Sequence, residues 1–212
     1  MKNDIFLLNI SGSDQPGLTS SLTEVLATYG AKVLDIGQAN IHDTLSLGIL
    51  FQIKTGKKSA GVLKDLLFKS YELGIKARFT PISASDYEHW VSLQGKDRYI
   101  ITIVGKQLSA RQISEVTKVI SDQELNIDAI KRLTGRISLE KASNYQRASI
   151  QLSIRGKIKD KAFLTEKFVE ISNNLNVDIA FQEDNIFRRN RRLVCFDMDS
   201  TLIQTEVIDE LA

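Results

Sequence analysis

A single cysteine, Cys195, in 212 residues cannot close an internal disulfide, so the chain is no disulfide-stapled framework. Two prolines and twelve glycines are too few for a low-complexity or long flexible-linker sequence. The two histidines, His42 and His89, are far apart, which excludes a histidine-rich metal site. An excess of one charge is missing too. With 28 basic and 26 acidic residues the formal charge is +2, no basis for general nucleic-acid or membrane binding. No apolar run approaches the roughly 20 residues of a membrane span. Met1-Lys2-Asn3-Asp4 leads straight into an apolar stretch, without a basic leader or a small-residue cleavage site. What these absences leave is a cytoplasmic globular chain, long enough for two domains.

Apolar patterning supplies the order of elements. Ile5–Ile10 reads as a strand, and Leu18, Leu22, Val25 and Leu26 follow at helical spacing. Strands over Val33–Ile41 and Ser46–Ile53 flank a turn at His42-Asp43-Thr44. Val62, Leu63, Leu66, Leu67 and Tyr71 mark a second amphipathic helix, and Ile75–Ile82 a fourth strand. The order β-α-β-β-α-β then recurs: strand Tyr99–Val104, helix Ile113–Ile120, strands Ile127–Ile137 and Ala148–Ile154, helix Phe163–Ile171 and strand Val177–Phe181. Four helix-to-strand junctions look alike: Tyr29-Gly30-Ala31, Leu73-Gly74-Ile75, Leu125-Asn126-Ile127 and Leu175-Asn176-Val177. Gly and Asn best tolerate the left-handed residue that ends a helix, so each is expected to do so here. Right-handed crossovers turn each copy into a four-stranded antiparallel sheet with both helices on one face.

The expected divisions are 1–84 and 96–184 for the two units, 85–95 for a connector, 185–192 for a basic linker and 193–212 for the start of something else. The connector contains Tyr87, His89 and Trp90, whose ordinary reading is aromatics packed between the units; the alternative is a ligand wall. His42 reads as a turn residue.

Asp14-Gln15-Pro16-Gly17-Leu18-Thr19 joins the first strand to the first helix. Pro16 can pre-set the turn or open the helix. Gly17 admits close approach to the backbone, and free amides at a helix start attract carboxylate or phosphate. The plainer alternative is an ordinary helix start with Asp14 as its cap. The βαββαβ order with this Asp-x-Pro-Gly-Leu loop resembles the ACT domain, a regulatory module that binds amino acids at subunit interfaces. The resemblance spans roughly residues 1–184 and implies a regulatory ligand site at Asp14, Pro16, Gly17 and Leu18, for L-serine or another amino acid. The serine-sensing ACT domains of phosphoglycerate dehydrogenase carry Asn where this chain has Asp14 and Lys32, so serine itself is not fixed. The second unit reads Gly105-Lys106-Gln107-Leu108-Ser109, without Pro-Gly, which favours the first unit as the ligand binder.

Arg188-Arg189-Asn190-Arg191-Arg192 reads as a solvated connector, or as the charged end of a helix begun by Asp184-Asn185. Beyond it, Leu193–Phe196 is strand-like and delivers Asp197 and Asp199 at its carboxyl end. Two such close acids need a hard divalent cation or a shared proton, an arrangement suited to phosphoryl transfer. Phe196-Asp197-Met198-Asp199-Ser200-Thr201-Leu202 is similar to the first motif of the haloacid dehalogenase superfamily. The continuation through Glu206 to Ala212 resembles its phosphoserine phosphatases, which often carry ACT units before the catalytic domain. The resemblance implies Asp197 as nucleophile and Mg²⁺ ligand, and Asp199 as general acid/base with its carbonyl on the metal. It implies Glu206 as the group that recognises the substrate amino group.

The expected fold class is α+β: two tandem ferredoxin-like (ACT) units and the first strand of an incomplete α/β haloacid dehalogenase-like domain. The expected function is the regulatory and dimerising region of a phosphoserine phosphatase, whose parent reaction is Mg²⁺-dependent hydrolysis of O-phosphoserine. The family's second-motif Ser/Thr, phosphate-binding Lys and distal metal-binding Asp fall beyond Ala212, so the 212-residue chain alone is expected to be inactive, its tail packed on an ACT unit or another copy. The alternatives are an amino-acid sensor without catalysis and a purely structural homodimerisation module. Neither nucleic acid nor membrane is an expected partner.

Overall fold

The computed structural model describes residues 3–95, 97–136 and 147–189. The chain divides into two compact units, Met1–Gly95 and Lys96–Ala212. In the first, β1 (Asn3–Ser13), α1 (Leu18–Thr28), β2 (Lys32–Ile41), β3 (Thr44–Lys54), α2 (Lys57–Glu72) and β4 (Lys76–Ile82) form a sheet of order β2-β3-β1-β4, followed by the helix α3 (Ala84–Ser92). The second repeats it with β5 (Arg98–Gly105), α4 (Ala110–Asp122), β6 (Asn126–Arg132), β7 (Ala148–Arg155), α5 (Lys161–Leu175) and β8 (Asp178–Glu183). Its sheet order is β6-β7-β5-β8, and the short helix α6 (Ile186–Arg189) follows. All pairings are antiparallel, as the repeat implied.

Strict alternation builds each core. Along β3, Leu45, Leu47, Ile49, Phe51 and Ile53 are buried on one face, where they meet Leu18, Leu22 and Leu26 of α1 and Val62 and Leu66 of α2. In the second unit Ile101, Ile103, Leu152 and Ile154 meet Val116, Ile120, Leu164 and Phe168. The two central strands, β1 with β3 and β5 with β7, carry most of this surface, leaving β2, β4, β6 and β8 as edges. Pro81 lies in edge strand β4, where the missing N–H costs no ladder bond in a sheet interior. Both β2 and β6 carry an irregularity near their starts, between Val33 and Asp35 and between Ile127 and Ala129. A bulge at the same place in each copy twists an exposed edge and discourages open-ended pairing.

Four expectations need correction. The buried stripe of α2 runs through Val62, Leu66 and Ser70, whereas Leu67 and Tyr71 are 51% and 83% exposed. Ser70 takes the inward position because its hydroxyl donates back to the Leu66 carbonyl (2.7 Å), leaving no unpaired polar group in the core. β6 ends at Arg132, short of Ile137. Past that point the Thr134 hydroxyl, not a strand carbonyl, accepts from the Ser149 N–H (3.2 Å). The connector at 85–95 is largely helical: Ser83 caps α3 by accepting from the Asp86 N–H (3.0 Å), and the rings of Tyr87 and Trp90 lie 6.0 Å apart one turn along it.

The fourth correction concerns the junctions. Gly30, Gly74 and Asn176 have positive φ as expected, but at the third junction the left-handed residue is Glu124, not Asn126, which already belongs to β6. In the first three the same closure forms, with a N–H reaching back five residues: Ala31 to Leu26, Ile75 to Ser70 and Leu125 to Ile120. Val177 reaches Ser172 likewise. The geometry of the repeat is thus kept even where its preferred residue is not. The haloacid dehalogenase-like strand at Leu193 lies outside the described residues.

Candidate functional site

The loop singled out in the first unit forms one wall of an open cavity of about 430 Å³, lined by Asp14, Gln15, Pro16, Gly17, Leu18, Thr19 and Ser20, with Gln38 of β2 and Leu45 of β3. Leu18 and Leu45 are buried and make its floor. All four ligand-site residues expected from the sequence, Asp14, Pro16, Gly17 and Leu18, therefore line one cavity.

The loop is fastened at both ends. The Asp14 N–H donates to the Asp43 carbonyl in the β2–β3 turn (2.8 Å), and the Asn40 amide donates to the Asp14 carboxylate. The Gln15 amide donates to the Leu73 carbonyl at the end of α2 (2.9 Å). Pro16 stands in the turn before the helix. Gly17, with φ 86°, is the residue at which α1 begins, a conformation that strains any residue with a Cβ. The proposed cap role of Asp14 is therefore corrected: no side chain caps α1, because Asp14 is turned to Asn40 and Gly17 has none to offer.

Open amides distinguish this helix start from its counterpart. In α1 the first return bond is Ser21 N–H to the Gly17 carbonyl (2.9 Å), and the N–H groups before it have no partner within the helix. Neither α1 nor α4 has an acidic residue in its first turn, so side-chain capping is what separates the two helix starts. In the second unit Ser109 and Gln112 form a reciprocal capping box on α4, each side chain bonding the other's backbone N–H (3.2 and 2.8 Å). The Gln112 amide also donates to the Leu175 carbonyl (2.9 Å), the equivalent of the Gln15 tie. The second copy thus occupies with its own side chains the groups that the first copy leaves exposed.

Two further residues, Gln38 and Asn40, shape the cavity that local sequence did not disclose. The Thr19 hydroxyl donates to the Gln38 side-chain amide oxygen Oε1 (3.2 Å), and Asn40 holds Asp14. Gln38 and Asn40 stand opposite Leu47 and Leu45, two buried core residues, so they face inward at the edge of the sheet. Their signal was a pair of amides at alternate positions on the inward face of a strand. The wall they complete carries one formal charge, the Asp14 carboxylate, against a cluster of N–H donors: complementary to a small ligand bearing both an ammonium and a carboxylate.

The other candidates are placed differently. His42 has φ 57° in the β2–β3 turn, pairs with neighbouring Asp43 and is exposed, a turn residue as read. His89 lies in the last turn of α3. Asn185 caps α6 by accepting from the Phe187 and Arg188 N–H groups (3.1 and 3.2 Å). Arg188 is not free: it bonds Asp184 (3.3 Å) and Gln151 of β7 (3.3 Å). Asp197, Asp199 and Glu206 lie outside the described residues. Among the described residues no cluster of three His, Cys, Asp or Glu side chains is placed to hold a metal, and no helix is long and apolar enough to cross a membrane.

Comparison with known proteins adds family to geometry. The ACT domain family matches residues 4–80 and again residues 98–182. Phosphoserine phosphatase SerB2 of Mycobacterium tuberculosis is 27% identical over 206 residues, which cover 97% of this chain and 47% of that protein. Phosphoserine phosphatase of Streptomyces coelicolor is 30% identical over 208 residues, covering 97% and 46%. The chain therefore spans about half the length of these curated relatives. A crystal structure of an unknown protein from Galdieria sulphuraria superposes with a TM-score of 0.68 at 17% identity, over 87% of this chain and 100% of that one, a likeness of fold. With both sheets accounted for by that family and nearly the whole sequence aligned to those enzymes, the chain belongs to the ACT domain family as a phosphoserine phosphatase-like tandem.

Proposed function

We propose that this chain is the amino-acid-sensing regulatory region of a phosphoserine phosphatase, and that its ligand site is the first-unit cavity. The observation that carries the reading is the contrast between the two helix starts: uncapped amides beside Asp14 in α1, a closed capping box in α4. A small amino acid, L-serine first among them, places its carboxylate on the α1 amides and its ammonium on Asp14. The parent reaction is hydrolysis of O-phosphoserine to serine and phosphate, so the product of the catalytic domain is the natural candidate for the signal.

In that parent, Asp197 attacks phosphorus and becomes the aspartyl-phosphate. Asp199 gives a proton to the leaving serine oxygen and then takes one from the attacking water, while Glu206 holds the substrate ammonium. The Asp197 carboxylate and the Asp199 backbone carbonyl are hard oxygen donors of the kind that hold Mg²⁺. Bound there, the ion supplies charge neutralisation for the phosphoryl oxygens.

The same reading makes the protein a homodimer. β2 is a bulged edge strand beside the cavity, with Val33, Ile36 and Ile41 exposed along it. A second copy covers that apolar edge.

Thermal unfolding with and without L-serine tests the sensor. A ligand held only by the folded state raises stability by about 2.7 kcal/mol at one hundred times its Kd. The expected result is a concentration-dependent rise in Tm that D14A abolishes while leaving the unliganded Tm within a few degrees. No shift with any proteinogenic amino acid refutes the sensor reading. Sedimentation of the same sample tests the dimer, and a monomer at all concentrations refutes it.

A further inference from the structure

The second unit has an opening of its own, of about 450 Å³, at the end of β5. Its polar lining is Lys106, Arg147, Ser172, Asn173, Asn176 and Asp178, over Gly105 and the hydrophobic Val104 and Val177. Five of those six polar side chains carry N–H or O–H donors, two of them cationic, and Asp178 is the one carboxylate. Among the described residues no ion pair or side-chain hydrogen bond engages any of the six. The Ser172 oxygen accepts from both the Asn176 and Val177 N–H groups.

The internal repeat shows that this lining is a departure from the shared scaffold. Gly12 stands opposite Leu45 in the first unit as Gly105 stands opposite Ala148 in the second. One residue further, Ser13 faces Thr44 where the second unit has Lys106 and Arg147. The junction bonds match Ser70 and Ile75 with Ser172 and Val177, which places Tyr71, Gly74 and Lys76 at the positions of Asn173, Asn176 and Asp178. The first unit therefore offers two hydroxyl residues where the second brings two cations together, and a lysine where the second has an acid. The glycine between them is shared: a Cβ built on Gly12 or Gly105 would crowd the equivalent neighbour, Ile75 at 2.7 Å and Val177 at 3.1 Å.

We propose that this cavity of the second unit binds a phosphate group, as free phosphate or as the phosphomonoester of a small amino-bearing molecule. Lys106 and Arg147 hold the phosphate oxygens, with Ser172, Asn173 and Asn176 as neutral donors. Asp178 lies where it can take an ammonium on the same ligand. The two copies of one scaffold then respond to different chemistry, a zwitterion in the first and an anion in the second.

The test is a ¹H–¹⁵N titration of the full chain with inorganic phosphate, O-phospho-L-serine and L-serine. Phosphate-bearing ligands are expected to shift the amides of Gly105, Lys106, Asn173, Asn176 and Asp178 at millimolar concentration; L-serine leaves these unmoved. The double variant K106A/R147A, at two exposed positions, is expected to weaken the phosphate-bearing ligands about tenfold or more with the Tm unchanged. K106R retains binding. D178N separates the sources. Loss of O-phospho-L-serine affinity alone assigns the site to the amino-bearing ester, and an unchanged response to both ligands assigns it to free phosphate. Absence of shifts at those amides overturns the proposal. So do equal shifts with L-serine, or affinity for phosphate unaltered in K106A/R147A. Failure of L-serine at the loop of residues 14–20 bears on the first-unit reading alone.

Discussion

Replacing Gly30 or Gly74 by alanine isolates the energy of one backbone conformation. Both residues have φ 65°, both end a helix, and a Cβ built on either meets nothing within 4 Å. The substitution therefore carries no packing penalty, and what remains is the left-handed conformation itself, about 1–2 kcal/mol for a residue with a Cβ. Alanine returns about 0.4–1 kcal/mol by narrowing the unfolded ensemble. The difference is a loss of about 1 kcal/mol at each site. A compact unit of this size should then melt about 4–8 °C lower if it unfolds as one cooperative transition. Glu124, at φ 55°, is the mirror experiment. E124G removes the strain and an acid at the negative end of α4, but it also removes the Lys159 ion pair (2.5 Å), an exposed contact worth roughly 0–1 kcal/mol. Its expected effect is neutral to mildly stabilising. Urea unfolding at fixed slope reads all three. Gly30→Ala and Gly74→Ala that match the parent protein, or a strongly destabilised E124G, refute the assignment of these four junctions to one backbone device.

Gly12→Ala should cost about 1–3 kcal/mol, because its Cβ would stand 2.7 Å from Ile75 Cγ2 and 3.3 Å from the Ile75 Cα, and backbone cannot swing away; a denaturation midpoint equal to that of the parent refutes it. Ser109→Ala should lose about 1 kcal/mol by opening the capping box of α4, and Ser109→Asp, which keeps an acceptor, should restore most of it in the same urea assay. Asp128 gives a pH test. Partial burial pushes its carboxyl up, but hydrogen bonds from Arg155 and Asn126, with the charges of Arg155 and Arg98, outweigh this and hold it below the ordinary range. A depressed folded pKa means that the stabilisation is complete above the unfolded carboxylate pKa and disappears as pH falls through the folded one. D128N should therefore be less stable by about 1 kcal/mol near neutrality, with the gap to the parent closing below about pH 4; a pH-independent gap refutes the ion-pair account.

Elements whose burial alternates in simple phase were legible in the sequence. The βαββαβ order, the antiparallel sheets and the stripe Leu18–Leu22–Leu26 needed only periodicity. The loop at Asp14–Leu18 was legible because Pro-Gly fixes a turn wherever it occurs. What stayed hidden were contacts between residues distant in sequence. Asn40 reaches Asp14 across 26 positions and Gln15 reaches Leu73 across 58, and no local pattern encodes either. Ser70 misled because its hydroxyl is satisfied by its own helix, which lets a polar residue sit where Tyr71 and Leu67 seemed the apolar choice. Asn126 misled for a related reason: Asn favours left-handed backbone, but the five-residue closure from Leu125 to Ile120 fixes the position at Glu124, and side-chain preference yields to it.

The internal duplication offers a physical reason why a carboxylate would be drawn to the helix start of the first copy and not to that of the second. A helix start needs its orphan N–H groups satisfied, by side chains, by solvent or by a bound anion. The second unit uses Ser109 and Gln112, which stabilises α4 and removes the attraction for a carboxylate. The first unit begins its helix at a glycine, which cannot cap, and turns the adjacent acid toward Asn40. That arrangement gives up roughly a few tenths of a kcal/mol of local stability relative to a side-chain cap, which a bound carboxylate would offset. On the proposed sensor reading, a bound carboxylate would tighten α1 and with it the edge strand β2, which meets the helix through the side chains of Thr19 and Gln38. A site built from an under-satisfied helix start and the exposed edge beside it would, on that reading, transmit binding to the edge through which a second copy would register it.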